Sequence, residues 1–91
     1  MITSQAINEL LQAEDIEGML EAGAPADEYV SEANRIAAAV NALASSQITE
    51  ENVLAIVALA WMQDFDLDES SMRDRSSAIS RVAQQVFALA K

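Results

Sequence analysis

Ten consecutive residues, 53–62, carry no polar side chain: VLAIVALAWM. At helical spacing Val53, Ile56, Val57, Ala60 and Trp61 line one side, and Leu54, Ala55, Ala58, Leu59 and Met62 fill the other. A helix that is apolar all round belongs inside a protein or a membrane. Ten residues fall well short of the roughly 20 that span a bilayer. The run therefore predicts the buried helix of a soluble bundle, with the other segments wrapped around it.

Those segments read as amphipathic helices. The first starts after Thr3 or Ser4, either of which caps an orphan N–H. It turns Ile7, Leu10, Leu11 and Ala6 inward and Glu9 and Gln12 outward. The pattern breaks at Glu14 and Asp15. Asp15 then caps a short second turn over residues 16–21 that points Ile16, Met19 and Leu20 inward, and Gly23 suits a left-handed stop. Pro25 disfavours helix at Ala24, so residues 23–29 form a corner. A second long helix begins between Pro25 and Ser31, capped by Asp27 or Ser31. Its stripe is Ala33, Ile36, Ala37, Val40, Leu43 and Ala44, and it ends near Ser45 and Ser46. The central helix has the best start in the chain: Thr49 as cap, Glu50 and Glu51 at the positive end, and Ile48 stapled to Val53. It runs to about Phe65. A polar connection over residues 66–71 leads to a last helix starting between Glu69 and Asp74. That helix carries Ile79, Val82, Ala83, Val86, Leu89 and Ala90, with Phe87 at the edge of the stripe, and Arg81 and Lys91 suit its negative end.

Alanine supplies 18 of the 91 residues, only two glycines and one proline interrupt, and no alternating run or Asn-Gly or Asp-Gly turn signals a strand. No internal repeat or linker is visible. The expected fold is one all-α domain over residues 1–91, a compact antiparallel four-helix bundle with a short extra helical turn after the first helix. Its core depends on few large side chains, each worth roughly 1.5–3 kcal/mol when buried.

The chain has neither cysteine nor histidine. That removes disulfides, zinc sites built on those residues, and every mechanism needing an imidazole base or a thiolate. The opening MITSQAIN carries no side-chain positive charge and no apolar run, so no secretory signal is expected and a cytoplasmic protein is. The net charge is −10, unevenly spread. Residues 1–70 hold fourteen acids against Arg35, whereas residues 71–91 hold Arg73, Arg75, Arg81 and Lys91 against Asp74. An acidic body repels nucleic-acid phosphates and anionic membrane surfaces, so neither is an expected partner. It keeps an alanine-rich protein soluble, and it also offers a face to a basic protein or mimics nucleic acid.

Residues 15–29, DIEGMLEAGAPADEY, resemble a signature of the YugE-like family, small bacterial helical proteins of unknown function. The family is similar in order: an amphipathic first helix, an Asp-x-x-Gly turn, Gly-Ala-Pro-x-Asp-Glu-Tyr, then further helices. After the tyrosine the family usually has an aspartate that would cap the next helix; here that position is Val30. The resemblance implies an all-α fold and a prokaryotic cytoplasmic source, and it implies no activity.

Three patterns invite chemistry. Asp64, Asp66 and Asp68 have the opening spacing of a calcium loop, but Glu69 stands where such a loop needs glycine and Arg75 where it needs a bidentate acid, so helix-end roles are expected. Asp68-Glu69-Ser70-Ser71-Met72 is a poor match to the Asp-Ser-Leu of acyl carrier proteins: it has an extra residue and lies before the last helix. Adjacent carboxylates (Glu14 and Asp15, Glu17 and Glu21, Asp27 and Glu28, Glu50 and Glu51) lack an apolar setting to drive their pKa values apart. No cofactor, metal or catalytic residue is expected. Trp61 is expected in the core, and Tyr29 packed over the bundle end with its hydroxyl on a partner. The reading is a non-enzymatic interaction protein whose acidic first two helices meet a basic partner or a second copy. Glu17, Glu21, Asp27, Glu28 and Tyr29 are its candidate contact residues. The rivals are a purely structural homodimer, with the arginines of residues 73–81 on the acids of another copy, and a carboxylate-based enzyme.

Overall fold

In the computed structural model, which describes residues 1–25 and 27–90, Thr3 opens the first helix: its Oγ1 accepts the Ala6 N–H at 3.1 Å. This helix, α1, is Ser4–Glu14. It is followed by α2 (Val30–Asn41), a 3-10 turn (Ser45–Gln47), α3 (Glu50–Phe65), α4 (Glu69–Asp74) and α5 (Ser76–Ala90). The described residues are 71% helical with no strand. Thr49 caps α3 through the Asn52 N–H, as its position predicts, and Asp68 caps α4 through the Ser71 N–H. Both α1 and α3 end on an aspartate in the left-handed conformation, Asp15 (φ 46°) and Asp66 (φ 50°), a geometry that aspartate tolerates better than most residues.

α1 packs on α2 and α5, α3 packs on α2 and α5, and α4 lies on α5. The four long helices thus close a ring whose interior is the core. Ile7, Leu11, Ile36, Val40, Val53, Val57, Val82 and Val86 fill it, with Tyr29 and Trp61 as its largest members. The Cα envelope measures 38 × 27 × 18 Å, and the shortest axis holds about two helix layers. At one end, Ile2 and Asn41 exchange two hydrogen bonds, 3.0 Å from the Ile2 N–H to Asn41 Oδ1 and 2.9 Å from Asn41 Nδ2 to the Ile2 carbonyl.

Several expectations are corrected. Five α-helices form among the described residues, because the expected last helix is broken at Arg75, whose N–H turns back to the Met72 carbonyl. Residues 15–24 form turns and no full helix: Gly18 bonds back to Asp15, one helical turn closes from the Ala22 N–H to the Gly18 carbonyl, two residues later than expected, and the bonds of Gly23 to Leu20 and Ala24 to Met19 end it. A left-handed Gly18 (φ 67°) delays the start of that turn, and Gly23 (φ 104°) is the left-handed stop its position predicts. α2 begins without a side-chain cap, on neither Asp27 nor Ser31, and stops at Asn41, four residues before Ser45. Leu43 is consequently half-buried and Ala44 exposed. The expectations for Ala26 in the corner and Lys91 at the end of α5 fall outside the described residues.

The largest correction concerns α3. It buries Val53, Val57, Ala60 and Trp61, yet leaves Leu54 (39%), Leu59 (49%) and Met62 (40%) in solvent. Covering a helix on every side takes neighbours on every side. In this ring α3 has two, α2 and α5, so its outward face stays bare.

Candidate functional site

Two places concentrate chemistry. The first is the end of the molecule where the first turn of α2 meets the last turns of α3. Trp61 stacks at a tilt between Tyr29 (5.6 Å) and Phe65 (5.0 Å). Its Nε1 donates to Glu17 Oε2 at 2.7 Å, and the same carboxylate takes two donors from Arg75: Nε, and one terminal nitrogen at 2.8 Å. Arg75 also donates to the Ser71 carbonyl at 2.9 Å, fixing the break between α4 and α5. The Arg75 guanidinium, followed by the Trp61 donor, holds Glu17 below the usual carboxylate range against the cost of burial. The Tyr29 hydroxyl donates to Asp15 Oδ1 at 2.7 Å and accepts the Glu17 N–H. Burial, and then the bond to Asp15, push that phenol up to about 12. Asp15 further accepts the Leu20 and Glu21 N–H groups, and the Tyr29 bond leads the effects that lower its pKa. The turns over residues 15–24 are thus wound around one aspartate.

Beside this cluster lies a carboxyl pair that sequence reasoning missed. Glu32 is only 5% exposed and faces Asp64 across the α2–α3 seam. Burial first, then the facing Asp64 carboxylate, raise Glu32 to about 7. Arg35 binds Asp64 Oδ1 at 2.9 Å, while buried Oδ2 has no partner among the described residues and is the acceptor a Glu32 proton would satisfy. The signal was in the sequence: Glu32 precedes Ile36 by one turn and so falls on the buried stripe of α2.

The second place is the bare face of α3. Leu54, Ala58 and Met62 form one row at i, i+4 spacing, with Ala55 and Leu59 beside it. A groove of about 420 Å³ runs between this row and the α4–α5 pair, lined by Leu54, Ala58, Met72 and Ile79, with Glu69 and Arg73 among its polar residues. It continues through the shared Leu54 and Ser80 into a second hollow of about 170 Å³, which Glu50 and Glu51 border. A third groove, of about 220 Å³, follows the α2 side of the same face and is lined by Ile56, Leu59, Arg35 and Ala39.

Of the five contact residues expected from sequence, Asp27, Glu28 and Glu21 are exposed and Tyr29 is fully buried. The Glu17 side chain is 9% exposed and held by Arg75 and Trp61. Glu17, Glu21 and Tyr29 gather around Asp15, with the Glu17 carboxylate and the Tyr29 hydroxyl already engaged inside the chain. Asp64, Asp66 and Asp68 are split between an ion pair, the end of α3 and the start of α4, and no group of three or more acids among the described residues is placed to hold a metal ion. Two of the arginines expected to reach a second copy are paired within the chain: half-buried Arg75 with Glu17, and exposed Arg81 with Glu14 at 2.6 Å. Arg73 makes no ion pair among the described residues. Among the described residues, no helix is long and apolar enough to cross a membrane. No protein-family model matches the chain, and neither a curated protein nor a solved structure matches it.

Proposed function

We propose that this chain is a non-enzymatic interaction protein that receives a partner on the outward face of α3. The observation that carries the reading is the exposure of Leu54 and Met62 in one row, with Leu59 beside it, on a helix with no polar residue for ten positions. Large side chains left together in water are a cost that a docking surface explains and a free-standing scaffold does not. The acidic surface is consistent with a basic partner. The ring of four long helices, with α4 as an appendage, supports the finer description of an antiparallel four-helix bundle. The similarity of residues 15–29 to the YugE-like signature supports kinship with that bacterial, cytoplasmic family. In this chain the signature's first and last residues, Asp15 and Tyr29, hydrogen-bond one another, which suits a structural clasp.

An enzyme is the weaker reading. The one carboxyl pair with a strongly displaced member, Glu32 and Asp64, is enclosed between α2 and α3, and neither residue lines the grooves beside α3. A general acid needs a substrate within hydrogen-bond reach. The earlier placement of the partner on α1 and α2 loses Tyr29 and Glu17 to internal bonds, leaving exposed acids without an apolar anchor.

A photo-crosslinking residue placed at Ala55 tests the proposal in cells. Adducts to another protein are expected from position 55 and none from the exposed Glu9 on α1. Equal yields from both positions, or none from 55, would sink it.

A further inference from the structure

Resting on that docking reading, we infer that the occupant is an amphipathic helix of basic character, lying along the groove between α3 and the α4–α5 pair. Three observations lead there. The floor is a straight apolar row at i, i+4 spacing, the ridge that accepts a ridge from another helix. At its middle, Ala58 leaves space for close approach, and the groove walls, Met72 and Ile79, are apolar. The hollows continue past Leu54 to the start of α3, so the trough follows that helix from Glu50 to Ala58, about 12 Å. An extended peptide would gain little here, because no sheet edge is present among the described residues to take its backbone hydrogen bonds.

Charge selects the sign of the occupant. Glu50 and Glu51 border one end of the trough and Glu69 the other, with Arg73 the one base along it among the described residues. Lysines or arginines flanking an apolar stripe would meet those carboxylates at a desolvating edge, where complementarity governs both encounter and register. The same rim argues against a second copy. A two-fold pairing through α3 would bring Glu50, Glu51 and Glu69 of one copy toward those of another, on chains each carrying −10. A basic helix has no such repulsion.

Binding of a synthetic peptide of about 18 residues, leucines at helical spacing and lysines elsewhere, decides the matter when followed by fluorescence anisotropy and circular dichroism. The comparison peptides are a scrambled sequence of equal charge and an amphipathic version with glutamine for lysine. Sedimentation velocity of the protein alone runs in parallel. The expected result is saturable binding with induced helix, at least about tenfold weaker for the scrambled and glutamine peptides. Leu54→Gln with Met62→Gln should weaken it about tenfold, and Glu50→Gln, Glu51→Gln and Glu69→Gln together should weaken it and flatten its salt dependence. All of these positions are exposed on the surface, so a cooperative thermal melt should show each variant folded, with the triple glutamine variant melting somewhat lower for the loss of acids at the starts of α3 and α4. Equal binding of the lysine and glutamine amphipathic peptides would overturn the basic character alone. A dimer of the free protein that Leu59→Gln dissociates would overturn the occupant and leave the docking face standing. A monomer that binds none of the peptides would overturn the inference, and the crosslink from position 55 would then decide whether the docking face survives.

Discussion

Replacing Glu32 with glutamine should make the protein more stable at pH 8 and leave it almost unchanged at pH 4. The folded chain holds the Glu32 carboxyl at about 7 against an ordinary 4.5, because it is buried and faces Asp64. Glu28 adds to the repulsion, and Arg35 sits on Asp64 Oδ1, while the buried Oδ2 has no partner among the described residues and is the acceptor a Glu32 proton would satisfy. Between those two pH values the unfolded chain releases a proton that the folded chain keeps. Folding stability from this group is therefore complete below about 4.5 and declines as the pH rises to about 7. At 1.36 kcal/mol per pH unit and proton, the decline reaches about 3 kcal/mol. That is a large share of the 5–15 kcal/mol typical of a whole domain. Glutamine donates the same hydrogen bond without ionising, so Glu32→Gln should recover most of that loss at pH 8. Urea unfolding, read from the single tryptophan, Trp61, gives the stability of both proteins from pH 4 to 8. Parallel pH profiles for parent and variant would refute a proton held between Glu32 and Asp64.

Other perturbations follow from the same end of the molecule. Trp61→Ala removes a fully buried ring in contact with Tyr29 and Phe65 and should cost about 3–5 kcal/mol in denaturant melts; a variant that melts like the parent would contradict its place in the core. Tyr29→Phe keeps the ring and deletes the bonds to Asp15 and the Glu17 N–H, so a loss of about 1–2 kcal/mol is expected, with faster amide exchange in residues 15–24. Unchanged exchange there would show that the turns hold without the clasp. Arg75→Ala strips Glu17 of its cation and should cost about 2 kcal/mol, below the usual 3–5 for a buried pair because Arg75 remains partly in solvent. Glu17 and Asp15 are both lowered in pKa, by Arg75 and by Tyr29 respectively, so their contribution is present above the ordinary carboxylate range and is lost on acidification through their folded pKa values. Stability in acid titrations should thus fall on both sides of a maximum near pH 5, the acid limb from these two groups and the alkaline limb from Glu32.

Local signals in the sequence were legible. Thr3 and Thr49 cap as their chemistry dictates, Asp15 accepts the turn's N–H groups, and the stripes Ile7–Leu11, Ile36–Val40 and Val82–Val86 face the core. The bond between Arg75 and Glu17 joins residues 58 apart in sequence, and no periodicity in either segment points to the other. The break at Arg75 was equally silent, since neither glycine nor proline marks it. The bare face of α3 was misread for a different reason. Hydrophobicity tells which side chains avoid water, whereas the number of neighbouring helices decides how many of them succeed. With two neighbours, half of a wholly apolar helix remains outside, and that remainder is the candidate site.

The central claim is that the outward face of α3 is where this protein meets its partner. Methyl NMR on protein labelled at leucine, methionine and alanine tests it most directly, during titration with the lysine–leucine peptide. The account predicts saturable shifts at Leu54, Ala58, Met62 and Met72, with the core methyls of Leu11 and Ala33 still. Shifts spread over α1 and α2 and absent from these four residues would contradict it.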